Sequence, residues 1–320
     1  MNFRTFGRTG WSVSEIGYGM WGMGGWTGSD DEESLTSLQR AVELGCNFFD
    51  TAFVYGNGHS EGLLGKLLKA NPDRKLFTAT KVPPQTLQYP AAPDATLAES
   101  YPSDHIEEYV HQSLRNADAE SFDLVQLHTW NDAWTNDDSW SNKLDDLKRQ
   151  GLFTASGISI NRWEPWNGVA AVRSGKIDSV QVVYNIFDQN PEDELFPACD
   201  EMNVAVIARV PFDEGSLTGN LTKETTFPEG DFRRGYFTPE NLAASVDRAD
   251  ALRPLIQSGS NLAEMSLRYI LSHRSVSTII PGMRKLKNVE ANIAASDAGV
   301  LDETLLAQLN GHRWVRKTQT

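Results

Sequence analysis

The amino-acid sequence predicts an α/β fold: one (β/α)8 TIM barrel over residues 1–320, with an N-terminal β-hairpin and an extra C-terminal helix. A short apolar run, a loop and an amphipathic helix recur along the chain. Several of the runs are apolar almost throughout, as strands covered on both faces are. A chain of 320 residues exceeds the ~250 typical of such a barrel by what a hairpin, two long loops and one more helix add. A doubly wound open sheet shares the alternation, but the length favours the closed form.

In chain order, Phe3 to Val13 holds two short alternating stretches around Gly-Arg-Thr-Gly, the pattern of a hairpin. Barrel strands are expected near Glu15–Gly19, Asn47–Asp50, Lys75–Thr80, Asp123–His128, Ala155–Ile160, Ser179–Tyr184, Val204–Ala208 and Val276–Ile280. Helices fall between them. Asp30 and Glu33 have capping-box spacing ahead of Leu35, Leu38 and Val42. Ser103 is placed to cap a helix carrying Ile106, Val110 and Leu114. Leu144 and Leu147 precede a Gly151 stop, Leu262, Met265 and Tyr269 mark another helix, and a last one covers about Asp302–His312. The long loops are Pro83–Pro102 and Pro211–Glu240.

Composition narrows the function. The net charge of −14 disfavours nucleic acid and anionic membrane as partners. No run approaches the ~18 apolar residues of a membrane span. The first residues lack the apolar core of a secretion signal. Cys46 and Cys199 have neither metal spacing nor a CxxC arrangement, so reduced thiols in a cytoplasmic protein are expected, with no metal site. Gly17-Tyr18-Gly19-Met20-Trp21-Gly22 satisfies G-x-G-x-x-G. The dinucleotide fingerprint, however, needs its third glycine in the opening turn of a helix and an acidic residue ~20 positions on at the end of a second strand. Neither is present, and a glycine-rich loop at the end of a first barrel strand accounts for the pattern.

Four polar residues sit at or just past successive strand ends: Asp50, Tyr55, Lys81 and His128. In a barrel these ends share one face. Each residue alone fits a structural role; together they form a candidate catalytic group. An ammonium beside a phenol favours the phenolate, a carboxylate holds the ammonium in place, and a histidine can hydrogen-bond a substrate oxygen. The set makes a tunable proton donor for a carbonyl oxygen, but it has no hydride source, so a cofactor is implied.

Asp50-Thr-Ala-Phe-Val-Tyr55-Gly with Ser-Glu-Gly-Leu-Leu-Gly65 downstream, then Lys81, His128, Gly-Ile-Ser159, Gln181-Val-Val-Tyr-Asn185, Gly215-Ser-Leu-Thr-Gly219 and Ile280-Pro-Gly-Met-Arg284, resemble the aldo-keto reductases along nearly the whole chain. The resemblance implies a (β/α)8 barrel that uses NADPH, less often NADH, to reduce a small-molecule aldehyde or ketone. It implies Tyr55 as the acid–base residue, Lys81 and Asp50 as its tuners and His128 as the carbonyl's orienting group. It also implies a cofactor site. Ser159, Gln181, Asp50 and Arg209 belong at the nicotinamide, and Gly19, Met20 and Trp21 by its ribose. Gly215, Ser216 and Leu217 lie over the pyrophosphate, Arg284, Asn288 and Asn292 at the adenosine end, and Pro211, Gly282 and Met283 complete the cofactor-binding set.

Three positions depart from the family pattern. Ile160 follows Ser159 where Asn is usual, with Asn161 one further. Arg209 stands where an aromatic stacks on the nicotinamide, and a flat guanidinium can stack too. Asn288 replaces a basic or Gln side chain, leaving Arg284 as the 2′-phosphate partner. Trp21, Phe53 and Trp130 are expected to line the substrate pocket, with Trp26 and Trp163 in neighbouring loops. Two other readings of the same residues are an NAD(P)+-dependent sugar or polyol dehydrogenase, and a nucleotide-binding sensor or channel-associated barrel. Oligomeric state has no sequence signal.

Overall fold

The computed structural model describes residues 1–26 and 28–316. A hairpin of β1 (Phe3–Phe6) and β2 (Trp11–Ser14) is followed by eight parallel strands: β3 (Tyr18–Gly19), β4 (Phe48–Asp50), β5 (Phe77–Val82), β6 (Phe122–Leu127), β7 (Phe153–Ser159), β8 (Ser179–Val183), β9 (Ala205–Arg209) and β10 (Val276–Ile279). Each pairs with the next in sequence order. The ring closes where Gly17 N–H donates to Ile279 O (2.8 Å), Gly19 N–H to Pro281 O (3.1 Å) and Ile279 N–H to Glu15 O (2.9 Å). Helices including Asp31–Glu43, His59–Ala70, Ser103–Ala117 and Ser139–Arg149 cover the outside, and Glu303–Asn310 is the extra C-terminal helix. The molecule is therefore the expected (β/α)8 barrel.

The glycine-rich segment belongs to the closing seam. A Cβ on Gly19 would lie 2.5 Å from Ile280 O, and one on Gly17 would lie 2.9 Å from Thr278 Oγ1. Both backbones approach β10 too closely for a side chain. The helix that follows starts only at Asp31, with Asp30 accepting from Glu33 N–H at 2.7 Å. One capping expectation fails: Ser103 is the first helical residue, Pro102 takes the cap position, and no side chain caps that end.

Inside the barrel the side chains are layered. Phe48, Phe77, Leu124, Ala155, Ala205 and Ile207 fill the N-terminal half, and the hairpin's Phe6 and Val13 join them as a plug. Phe6 stacks on Phe48 with ring centroids 5.4 Å apart. Two or four residues further along the strands, the same inward alternation presents Asp50, Lys81, Gln126, Ser159, Gln181 and Arg209. Water is excluded from the bottom half, and chemistry is confined to the C-terminal mouth.

Candidate active site

Lys81 is the centre of this layer. Its Nζ donates to Asp50 Oδ1 at 2.5 Å, to Thr51 O at 2.7 Å and to the Tyr55 hydroxyl at 3.3 Å, which uses all three of its protons. Both ends of the Lys81–Asp50 ion pair are buried. The second Asp50 oxygen accepts from Gln181 Nε2 (2.8 Å) and Gln126 Nε2 (3.2 Å). The carboxylate is thereby locked by three side chains from three strands.

Tyr55 comes from the turn after β4. Its N–H bonds to Ala52 O, and the next residue, Gly56, has φ +71° and lies against Gly24. That contact joins the Tyr55 turn to the first loop. Thr51 Oγ1 bonds to Ser60 Oγ, which in turn donates to Met20 O. Glu61 of the Ser-Glu-Gly stretch is buried and accepts from Thr80 Oγ1 and Asn116 Nδ2, so it ties this helix to β5 and to the helix Ser103–Ala117. The His128 ring lies edge-on to Tyr55 with centroids 5.8 Å apart, and its Nδ1 is buried without a partner among the described residues. His128 N–H donates to Val82 O, which fixes the start of its loop. All four candidate residues converge at the mouth.

The electrostatics differ from the sequence expectation in one respect. Burial raises the Tyr55 phenol above its ordinary value, and Lys81 only partly offsets this. At neutral pH the hydroxyl therefore keeps its proton. Burial alone would depress the Lys81 ammonium, but Asp50 and then Tyr55 outweigh it and hold Lys81 charged. Burial, with Lys81 and Arg209 adding like-signed repulsion, holds His128 well below its ordinary value, so its imidazole is neutral.

A cleft of about 450 Å³ opens above this group. Tyr55, His128, Ser159 and Gln181 lie along it, with Arg209 and Ile160 beside them and Trp21 and Trp26 near the rim. Those two indoles stack at 5.4 Å, and Phe232 of the second long loop meets Trp21 edge-on at 5.0 Å. Arg162 also lines the cleft and pairs with Glu214, linking the loops after β7 and β9. Arg209 donates from Nη2 to Ile160 O at 2.9 Å. Asn161 reaches the cleft despite its offset from Ser159, because the strand ends at Ser159; it is anchored by Thr129 and by Trp130 O.

Two expected pocket residues lie elsewhere. Trp130 is fully buried in a cluster with Trp134 and Trp140 and has no surface on the cleft. Phe53 packs edge-on against Tyr109 at 4.7 Å, and its neighbour Val54 lines the cleft instead. Tyr89 and Pro90, from the long loop after β5, also line it and had no sequence signal. Gln126 had one: it stands two residues before His128 on the same inward face.

The remaining candidates extend away from Tyr55. Met20 and Met283 are packed in the core, so only their backbone can meet a ligand. Gly215 has φ +114° within a turn, Asp213–Thr218, whose Ser216 and Leu217 are buried, as is Pro211 just before it. Arg316 pairs with Asp213 at 2.7 Å and pins that turn. Gly282 is open to solvent and Arg284 is half-buried, its Nη1 3.3 Å from Gly22 O. Asn288 is exposed, whereas Asn292 is buried with an unpartnered Nδ2.

The Aldo/keto reductase family model matches residues 15–313. Aldo-keto reductase yakc [NADP(+)] of Schizosaccharomyces pombe is 28% identical over 304 residues, 92% of this chain and 87% of that protein. NADH-specific methylglyoxal reductase of Escherichia coli is 25% identical over 320 residues, covering 95% and 96%. The holo form of aldo-keto reductase AKR11C1 from Bacillus halodurans superposes with a TM-score of 0.78 at 28% identity, covering 100% of this chain and 98% of that one.

Proposed function

Because the chain belongs to the aldo/keto reductase family, oxidoreductases that act on carbonyls and alcohols with a nicotinamide cofactor, we propose that it reduces a small aldehyde or ketone to the alcohol, with NADPH preferred and Tyr55 as the proton donor. One observation carries the reading: Lys81 holds Asp50 and the Tyr55 hydroxyl together on the floor of the cleft. The residues present fit the cofactor. Ser159 and Gln181 border the cleft beside Tyr55, and buried Asn292 offers an unused amide beyond it, in the helix that follows Arg284.

When bound, the nicotinamide supplies the hydride that reduces the carbonyl carbon. The chain supplies the rest. Tyr55 and neutral His128 donate hydrogen bonds to the carbonyl oxygen and orient it. As negative charge grows on that oxygen, Tyr55 passes it the hydroxyl proton. Lys81 stabilises the phenolate left behind, and Asp50 keeps the ammonium charged and fixed. Trp21, Trp26 and Tyr89 give the cleft rim an apolar, aromatic character suited to a carbonyl carrying hydrophobic bulk. Among the described residues no helix is long and apolar enough to cross a membrane, and a cytoplasmic enzyme folded as one domain fits this. The test is a panel of aldehydes and ketones assayed with NADPH and NADH in parallel by loss of nicotinamide absorbance. Turnover with no member of the panel would overturn the reading.

A further inference from the structure

The cleft has an uncompensated charge. Lys81 is paired with Asp50, and Arg162 with Glu214, but among the described residues Arg209 has no carboxylate partner. Its Nη2 is satisfied by a neutral carbonyl, Ile160 O, and its Nε is buried with no partner among the described residues. His128 and Tyr55 add no charge at neutral pH, as argued above. Burial, and then the like charge of Arg162, push the Arg209 guanidinium down to about 10, which still leaves it protonated under ordinary conditions. A half-buried cation with no carboxylate paired to it is costly, and the fold keeps this one beside the reacting group.

Hydride transfer requires contact between the donor ring and the carbonyl carbon. The carbonyl oxygen must meet Tyr55, so the ring must occupy the cleft that Arg209 also lines. That ring is neutral in the reduced cofactor and carries a positive charge in the oxidised one. The rest of the cofactor is identical in both. Resting on the reductase reading above, we infer that Arg209 makes the site discriminate between the two redox states, binding the reduced cofactor more tightly because its guanidinium repels the cationic ring and leaves the neutral one undisturbed.

The consequence is a cycle that loads the reduced form and expels the oxidised one. Each turnover creates a positive charge beside Arg209: the hydride leaves the ring with both its electrons, and the Tyr55 proton goes to the substrate oxygen. Two like charges separated by about 7–10 Å at an effective dielectric near ~20 repel enough to shift a dissociation constant by roughly 15- to 60-fold.

The experiment is the dissociation constants of NADPH, NADP+, NADH and NAD+, measured by titration calorimetry on wild type and on Arg209→Met, Arg209→Gln and Arg209→Lys. For each pair, the ratio of the oxidised to the reduced constant cancels every contact common to both forms. The expected ratio is well above one in wild type, at least about tenfold smaller in Arg209→Met and Arg209→Gln, and close to wild type in Arg209→Lys. Gln retains a donor for Ile160 O, so it tests the charge even if Met perturbs the fold. An unchanged ratio in a neutral variant that still binds both forms overturns the inference and leaves the reductase reading standing. Failure of wild type to bind any of the four overturns both.

Discussion

Lys81 Nζ lies 2.5 Å from Asp50 Oδ1, with both side chains buried, and the same nitrogen donates to the Tyr55 hydroxyl at 3.3 Å. One ammonium is thus at once half of an ion pair inside the barrel and the nearest charge to the proposed proton donor. Substitutions here should separate chemistry from folding.

Tyr55→Phe removes the hydroxyl and keeps the ring against His128. Turnover should fall by roughly 10²–10⁴, the usual loss for a positioned general acid, with cofactor affinity little changed. Steady-state kinetics together with a cofactor titration decide it; a variant with wild-type kcat would remove Tyr55 from its proposed role.

Lys81→Met should act on stability as well as on rate. It strands the Asp50 carboxylate in the barrel, a change that costs about 3–5 kcal/mol when a buried pair loses one member. Double substitution with Asp50→Asn should recover much of that loss without restoring turnover. Urea unfolding of the three proteins is the measurement, and equal stability of Lys81→Met and wild type would contradict the buried-pair account.

Because burial keeps the Tyr55 phenol above its ordinary 10.0, the proton-donating form persists across the neutral and mildly alkaline range. The rate of carbonyl reduction should therefore show no alkaline limb assignable to Tyr55 below pH ~10. Alcohol oxidation, which needs the deprotonated oxygen, should rise with pH over the same range. Rate profiles in both directions check this, and a reductive rate that halves near pH 8 would point to another donor.

His128 gives a signature in stability. Its folded value is held well below the ordinary 6.5, so the folded protein resists the proton that the unfolded chain accepts. Its contribution is fully present above about 6.5 and is lost as pH falls below it, by roughly 1.4 kcal/mol per pH unit until the folded histidine titrates. His128→Gln should lack that slope. Parallel unfolding curves for the two proteins between pH 7 and 5 would contradict a buried neutral imidazole.

Arg284 should govern the choice between cofactors. Its guanidinium is half-buried and, among the described residues, its hydrogen bond is a 3.3 Å contact to Gly22 O. Charge-assisted hydrogen bonds contribute roughly 1.5–3 kcal/mol, so Arg284→Ala should weaken NADPH by about one to two orders of magnitude and leave NADH nearly unchanged. Equal losses for both would mean that Arg284 does not read the 2′-phosphate.

Much of this site was visible before any coordinates because strands covered on both faces have little reason to carry polar residues. Asp50, Lys81 and His128 interrupt or end apolar runs, and the barrel brings such interruptions to one rim. Gln126 follows the same rule, but an uncharged amide within Leu-Val-Gln-Leu-His signals chemistry less specifically than a charge does, because it can equally satisfy a neighbouring backbone group. The aromatic residues were ambiguous for a physical reason: an indole after a strand end can face the cleft, as Trp21 does, or anchor the loop beneath it, as Trp130 does, and hydrophobicity is identical in both cases. Tyr89 and Arg162 reach the site from loops, whose paths are set by tertiary contacts that no local periodicity encodes.

The seam between Gly19 and β10 also has a consequence for biosynthesis. It joins the first barrel strand to the last, so the contact spans almost the entire polypeptide and must await translation of Ile279 and Pro281. Until then the nascent sheet has one bare edge at Tyr18–Gly19 and another at its growing end, each offering unpaired backbone groups to a second chain. A ribosome stalled shortly before Val276 would therefore release a chain with all its candidate catalytic side chains and no closed ring to hold them. Such fragments should partition to aggregates or chaperones, and the short extent of the glycine-lined first strand limits how much edge each one exposes.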